Sequence, residues 1–269
     1  MSKNPESAKK ETSGHSVLHY DKSWKGYLFE FILLFLAVFL GFLTESYRDN
    51  IGEKQQAEEL AHNFYDELIA DSTSIRWYIH ARFEKDTALI ALKNYVLDSS
   101  FEKVSRAYVR NYYVGLFLNS RFEPTDVLLE QLKNSGSLRY FKSKELQRLT
   151  GSLSECIARM RQADQSDADF VDNQIVPFHI EHGDQKFYDR ITHDGAKSFG
   201  DFIDILAKDS VKMDYKMNDL AGFNRKKFNN ALGIYRLRLK VSTFHHYLNY
   251  EDINKQLLSA LRKEYRIIE

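Results

Sequence analysis

Apolar residues crowd one stretch of the chain and are spaced apart almost everywhere else. From Gly26 to Thr44 only Glu30 interrupts an apolar run, and Phe31 to Leu43 is unbroken. That approaches the roughly 20 residues an α-helix needs to cross a bilayer. Trp24, Tyr27 and Tyr47 stand at its two ends, where interfacial aromatic side chains belong. The run is expected to be a transmembrane helix over 26–46. Before it, residues 1–25 are polar and rich in Ser and Lys, the composition of a disordered tail. No small-x-small cleavage site follows, so a retained anchor is expected rather than a removable signal peptide.

Beyond the run the spacing turns helical. Ala57, Leu60, Phe64, Leu68, Ile75, Ile79 and Phe83 recur at threes, fours and a seven, and Leu89, Leu92 and Val96 continue the series. This predicts one helix from Glu53 to about Leu97. Its apolar positions drift and include aromatics, which suits a bundle helix better than a two-stranded zipper. A second helix is predicted over Val104–Leu118. Pro124-Thr125 opens a short third one, with Thr125 as candidate cap, and Asn134-Ser135-Gly136 closes it.

Ser143 starts the next helix, with Leu146, Leu149, Leu153, Ile157 and Met160 on its apolar face, running to Val176, where Pro177 ends or kinks it. Phe178–Gly200 is the least regular stretch. Helical spacing returns over Phe202–Leu206, Phe223–Leu248 and Ile253–Ile267. Tyr235, Leu237, Leu239 and Val241 alternate with Arg236, Arg238 and Lys240 as a strand would. Phe228, Leu232, Tyr235 and Leu239 nevertheless keep helical spacing and no turn signals flank them, so helix is expected. The expected fold is all-α: an N-terminal transmembrane helix continuing into an extramembrane bundle of long helices, with a tail at 1–25, the span at 26–46 and a helical domain at 47–269.

Charge orients this plan. Lys9, Lys10, Lys22 and Lys25 precede the span, while Arg48 and Lys54 follow it among acids, which puts the N-terminus in the cytoplasm and the helical domain outside it. Overall, Lys and Arg number 38 and so do Asp and Glu, leaving no global field to attract nucleic acid. The short basic runs Arg225-Lys226-Lys227 and Arg236, Arg238, Lys240 are expected to be solvated faces. Cys156 is the only cysteine, which excludes an intramolecular disulfide and any CxxC or four-cysteine site. It is expected to be a core thiol.

Within the span, Glu30, Ala37, Gly41 and Arg48 fall on one side at about 100° per residue, opposite bulky Ile32, Phe35, Phe39 and Phe42. Ala37-x-x-x-Gly41 has the small-x-x-x-small spacing that lets membrane helices approach closely. This stripe is expected to contact a membrane protein partner or a second copy of the chain, with Glu30 either facing it or reaching the headgroups or a nearby lysine.

Two segments resemble a family. The span itself, Glu30-Phe-Ile-Leu-Leu-Phe-Leu-Ala-Val-Phe-Leu-Gly41-Phe-Leu-Thr-Glu-Ser-Tyr47-Arg48, and the stretch from Thr125 to Tyr140, with its serine-glycine turn at Ser135-Gly136, resemble bacterial single-span inner-membrane proteins known only as a domain of unknown function. Thr44-Glu45 and Tyr47 depart from that pattern. The resemblance implies an inner-membrane anchor with a helical domain in the periplasm. It brings no reaction, cofactor or catalytic residue with it.

Catalytic patterns are missing: the chain has no phosphate-cradling glycine loop, nucleophile elbow or HExxH motif. The densest set of ligating side chains is His179, Glu181, His182, Asp184, His193 and Asp194, within which His179, His182 and His193 are the metal candidates. Their spacing matches no standard site, so a solvated polar loop is expected there. His245 and His246 are expected at or near the surface. No catalytic or cofactor-binding residue and no cofactor is assigned. The expected role is a non-enzymatic, membrane-anchored structural or interaction protein, a subunit or accessory of a cell-envelope assembly. The alternatives are a ligand-sensing helical module acting through a partner, and a metal-dependent hydrolase built on His179 and His182.

Overall fold

The computed structural model describes residues 24–193, 196–208 and 210–267. Residues 1–23 of the expected tail and Asp194 of the histidine-rich stretch lie outside them. The chain divides into two units, Met1–Glu53 and Lys54–Glu269. Helix α1 spans Trp24–Asp98, so Trp24 and Lys25 are helical rather than part of the tail.

In the first unit α1 carries an 18-residue window of mean hydropathy 2.3, none of it buried against protein. Among the described residues it is the helix long and apolar enough to cross a membrane. Phe31, Phe35 and Phe39 stack at successive i,i+4 positions, with ring centroids 6.5 and 6.0 Å apart. Thr44 returns its hydroxyl to the Leu40 carbonyl at 2.8 Å, which satisfies that donor within the helix.

The second unit is an all-α bundle, and no strand occurs among its described residues. After α1 come α2 (Arg106–Phe117), α3 (Val127–Asn134), a 3-10 turn (Ser137–Tyr140), α4 (Lys144–Gln174), α5 (Val176–His182), α6 (Gln185–His193), α7 (Phe199–Ala207), α8 (Arg225–Ser242), a π turn (Thr243–Tyr247) and α9 (Leu248–Tyr265). Side-chain caps set several starts. The Ser105, Ser143 and Asn224 side chains accept from the backbone N–H of Tyr108, Leu146 and Lys227. Ser198 and Asp201 cap α7 reciprocally.

The expected cap at Thr125 is replaced by groups from α1. The Glu67 carboxylate accepts from Leu128 N at 3.2 Å, and Asp71 accepts from Thr125 N at 3.1 Å and from the Tyr250 hydroxyl at 2.6 Å. Two acids one turn apart on α1 thus hold the positive end of α3, and burial raises both above the ordinary carboxylate value. Gly136 closes α3 at φ 69°, a left-handed conformation that a Cβ disfavours.

Two further expectations change. Phe178–Gly200 is mostly helical, because Phe187 and Ile191 give α6 a short buried face that its polar composition hides. Phe223–Leu248 and Ile253–Ile267 run on without a break: α8 passes through the π turn within the first of them directly into α9, which covers the positions between them. Strand-like alternation in 235–241 is indeed helical: Tyr235 and Leu239 are buried, Leu237 and Val241 exposed.

The core has two parts. Leu60 to Ile79 of α1 pack with α3, the first half of α4 and α9. Leu89 to Val96 of α1 pack with α2, α6, α7 and α8. Phe83, expected to continue the apolar stripe, is 43% exposed, and Arg82 takes the inward position instead. Leu89→Ala should therefore cost about 2–5 kcal/mol, whereas Phe83→Ala should stay within about 0.5 kcal/mol, as surface changes do. Denaturant midpoints of the full chain in detergent micelles would show the difference.

Candidate functional site

Between the two apolar cores lies a layer of charge. On α1 the inward positions between Ile79 and Leu89 are taken by Arg82 and Lys85, 3% and 5% exposed. On α4 the apolar face ends at Met160 and continues one turn on with Asp164 and then Asp167. On α8 the corresponding level is Ser242, followed by Thr243 where the π turn begins.

Arg82 joins these segments. Its Nε donates to Thr243 Oγ1 at 2.9 Å, and Nη1 donates to the Ser120 carbonyl at 3.2 Å and to Asp164 Oδ1 at 3.3 Å. Nη2 donates to Ser242 Oγ and lies 3.9 Å from Asp167 Oδ2. The guanidinium carbon sits 4.0 Å from the centroid of the Tyr247 ring. Tyr247 donates its own hydroxyl to Asp164 Oδ2 at 2.7 Å, and Asp167 Oδ1 accepts from Arg238 Nε at 3.0 Å. Burial pushes both aspartates above the ordinary carboxylate value, and Tyr247, Arg82 and Arg238 pull them back part of the way.

Lys85 is held differently. Its Nζ donates to the Leu118 carbonyl at 3.0 Å and stands 5.3 Å from the centroid of the Tyr235 ring, with no carboxylate in ion-pair contact among the described residues. Burial, reinforced by the nearby Arg82 charge, pushes its ammonium down to about 7, against a weaker upward pull from Asp167 and Asp164. Beside it opens a cavity of about 220 Å³ lined among others by Asn119, Arg121, Asp167, Asp172 and Tyr235. Donors and acceptors converge there in a space suited to a few waters or one small polar molecule.

The residues singled out from sequence fall elsewhere. Glu30, Ala37, Gly41 and Arg48 all lie on the exposed surface of α1, with Arg48 3.9 Å from Asp49. Outside the local helix backbone, no heavy atom lies within 4 Å of where a Cβ on Gly41 would stand. His179, His182 and His193 do not form a common metal set. His179 shares a 2.7 Å hydrogen bond with the Tyr112 hydroxyl and packs on Phe117, and burial lowers its imidazole below the usual value. His182 meets the Asn218 carbonyl instead, and His193 is exposed at the end of α6. Cys156 is buried, and burial pushes its thiol up. His245 is exposed and His246 half-buried. In the second basic run Arg236 pairs with Asp86 at 2.7 Å and Arg238 with Asp167, while Lys240 is exposed.

No family model matches the chain, and neither a curated protein nor a solved structure matches it.

Lys85 makes the bundle's stability depend on pH. Its folded value lies below the unfolded 10.5, so the unfolded state binds more protons between about pH 7 and 10.5, and stability rises with pH through that window. One proton sets a ceiling of about 1.4 kcal/mol per pH unit. Lys85→Met should abolish this contribution: the stability of the protein minus that of the variant should climb from pH 7 to 10 in denaturant titrations.

Proposed function

We propose that this protein is a non-enzymatic, membrane-anchored interaction module, a subunit or accessory of a bacterial cell-envelope assembly. The apolar part of α1 is its span, with the N-terminus in the cytoplasm and the second unit in the periplasm. An uncovered apolar helix surface is stable in hydrocarbon, where its backbone is satisfied internally.

One observation carries the proposal. Ile234, Leu237, Val241 and Phe244 recur at threes and fours along the outer face of α8 and into the π turn, and all are exposed, Leu237 by 63%. Phe83 of α1 extends the stripe, its ring 6.1 Å from that of Phe244. An exposed apolar stripe of this kind marks an interaction surface, and its place on a helix of the folded bundle favours a protein contact. The small-residue stripe at Glu30, Ala37, Gly41 and Arg48 would serve the same partner, or a second copy, within the bilayer.

A photo-crosslinking residue placed at Leu237 in native membranes should give an adduct of defined mass, whereas one at exposed Lys226 on the same helix should not. Unmodified monomer at Leu237, with a stable folded bundle, would sink the proposal. An adduct of twice the chain's mass would make the partner a second copy.

A ligand-sensing role is favoured by the Lys85 cavity. Small carboxylic and amino acids should then raise the melting temperature of the protein but not of the Lys85→Met variant. Equal shifts in both, or none, would dismiss it. The metal-dependent hydrolase built on His179 and His182 finds no support, because those imidazoles turn to different partners.

A further inference from the structure

His182 itself, set apart from His179, stands in a different and more specific arrangement. It is the last residue of α5, and its imidazole is 4% exposed, boxed by Phe223 at 5.0 Å and Phe178 at 6.3 Å between ring centroids. Nδ1 lies 3.2 Å from the Asn218 carbonyl oxygen. A carbonyl only accepts, so Nδ1 is the donor and Nε2 is turned the other way as the potential ligand. That atom lies 3.7 Å from Glu181 Oε2. One imidazole nitrogen of His182 and one carboxylate oxygen from each of Glu181 and Asp219 all lie within 4.8 Å of one another.

We propose that Glu181, His182 and Asp219 bind a divalent transition metal ion, zinc by its ligand chemistry, which clamps the 214–223 segment onto the C-terminal end of α5. Zinc bonds of 2.0–2.1 Å place tetrahedral ligands about 3.4 Å apart, so the set needs only a small closure to coordinate it. Imidazole with two carboxylates suits zinc, and three protein ligands leave an open position for water. Glu181 is exposed, which gives the ion a route in. The hydrogen bond from Nδ1 to a backbone carbonyl is the outer-shell partner that orients a zinc-binding histidine.

The surrounding backbone holds this arrangement in place without any ion. Asn218 N donates to the His182 carbonyl at 3.1 Å, and Asn218 Nδ2 donates to the Gly183 carbonyl at 2.6 Å. Lys216 N donates to Asp184 Oδ2 at 2.9 Å. Asp219 adopts φ 38°, and its Oδ1 accepts from Gly222 N at 3.2 Å. A Cβ on Gly222 would fall 2.1 Å from Asp219 Oδ2, so only glycine at 222 leaves the carboxylate where it is. This site is independent of the partner surface on α8.

The test is a zinc chloride titration of the untagged full chain in detergent micelles after stripping with a chelator, read by metal content and by melting temperature. The protein should take up one zinc per chain and gain about 3 °C or more in melting temperature. Glu181→Gln with Asp219→Asn changes two exposed groups and leaves the buried imidazole in place. That double variant should melt at the same temperature without metal and lose at least about tenfold in zinc affinity. Gly222→Ala, which displaces only the Asp219 carboxylate, should weaken binding too. Zinc bound equally well by the double variant would overturn the proposal. So would a protein whose melting temperature does not move with zinc.

Discussion

The guanidinium of Arg82 is the group around which the second unit is arranged. A lone charge transferred into a protein interior costs several kcal/mol, and that cost is offset only where geometry supplies partners for its hydrogen bonds. Here the partners come from α4, from the 118–121 connection and from the junction of α8 with the π turn, with the Tyr247 ring beneath. Apolar contacts tolerate sliding and repacking. A planar fork of five N–H groups does not, so these bonds fix the register of α1 against α4 and α8. Two apolar cores can then pack on either side of one level without ambiguity about which residues meet.

Hydrophobic spacing located the longer helices of the bundle and most of their inward faces, but not α5 and α6. It missed this layer because it scores Phe83 above Arg82, although the two are neighbours pointing about 100° apart. What decides between them is far away in sequence: Asp164 and Ser242 lie 82 and 160 positions from Arg82. A local trace did exist. The apolar face of α4 runs through Leu153, Ile157 and Met160 and continues on the same side into Asp164 and Asp167, while the stripe on α1 has a gap between Ile79 and Leu89 filled by Arg82 and Lys85. Opposite charges interrupting two apolar stripes are the signature of a buried polar level, and no motif pattern records it.

The histidine-rich stretch shows the converse. Three imidazoles close in sequence read as metal candidates within a solvated loop, yet α5 is helical, and residues 179 and 182 point to different neighbours along it. Tyr112 claims one ring and Asn218 the other. The residue that joins His182, Asp219, stands 37 positions later in a segment held by backbone hydrogen bonds. Its left-handed φ and the glycine at 222 could be guessed as a turn from Asp219-Leu-Ala-Gly222, but not the helix end it returns to.

Helix α8 ties the buried layer to the exposed surface. Its inner face presents Tyr235, Leu239 and Ser242 towards the charged level, and its outer face presents Ile234, Leu237 and Val241 to solvent. Turning the helix enough to bury that outer stripe would pull Ser242 off the guanidinium and leave Arg238 and Asp167 unpaired, exposing or orphaning charges that now satisfy one another. The stripe is therefore presented by an element whose rotation would break these buried contacts, so that any partner docking there would have little backbone order to impose. A surface of this kind is rigid because the interior behind it is polar, whereas a purely aliphatic interface between α1 and α8 would let the helix turn and hide its apolar side.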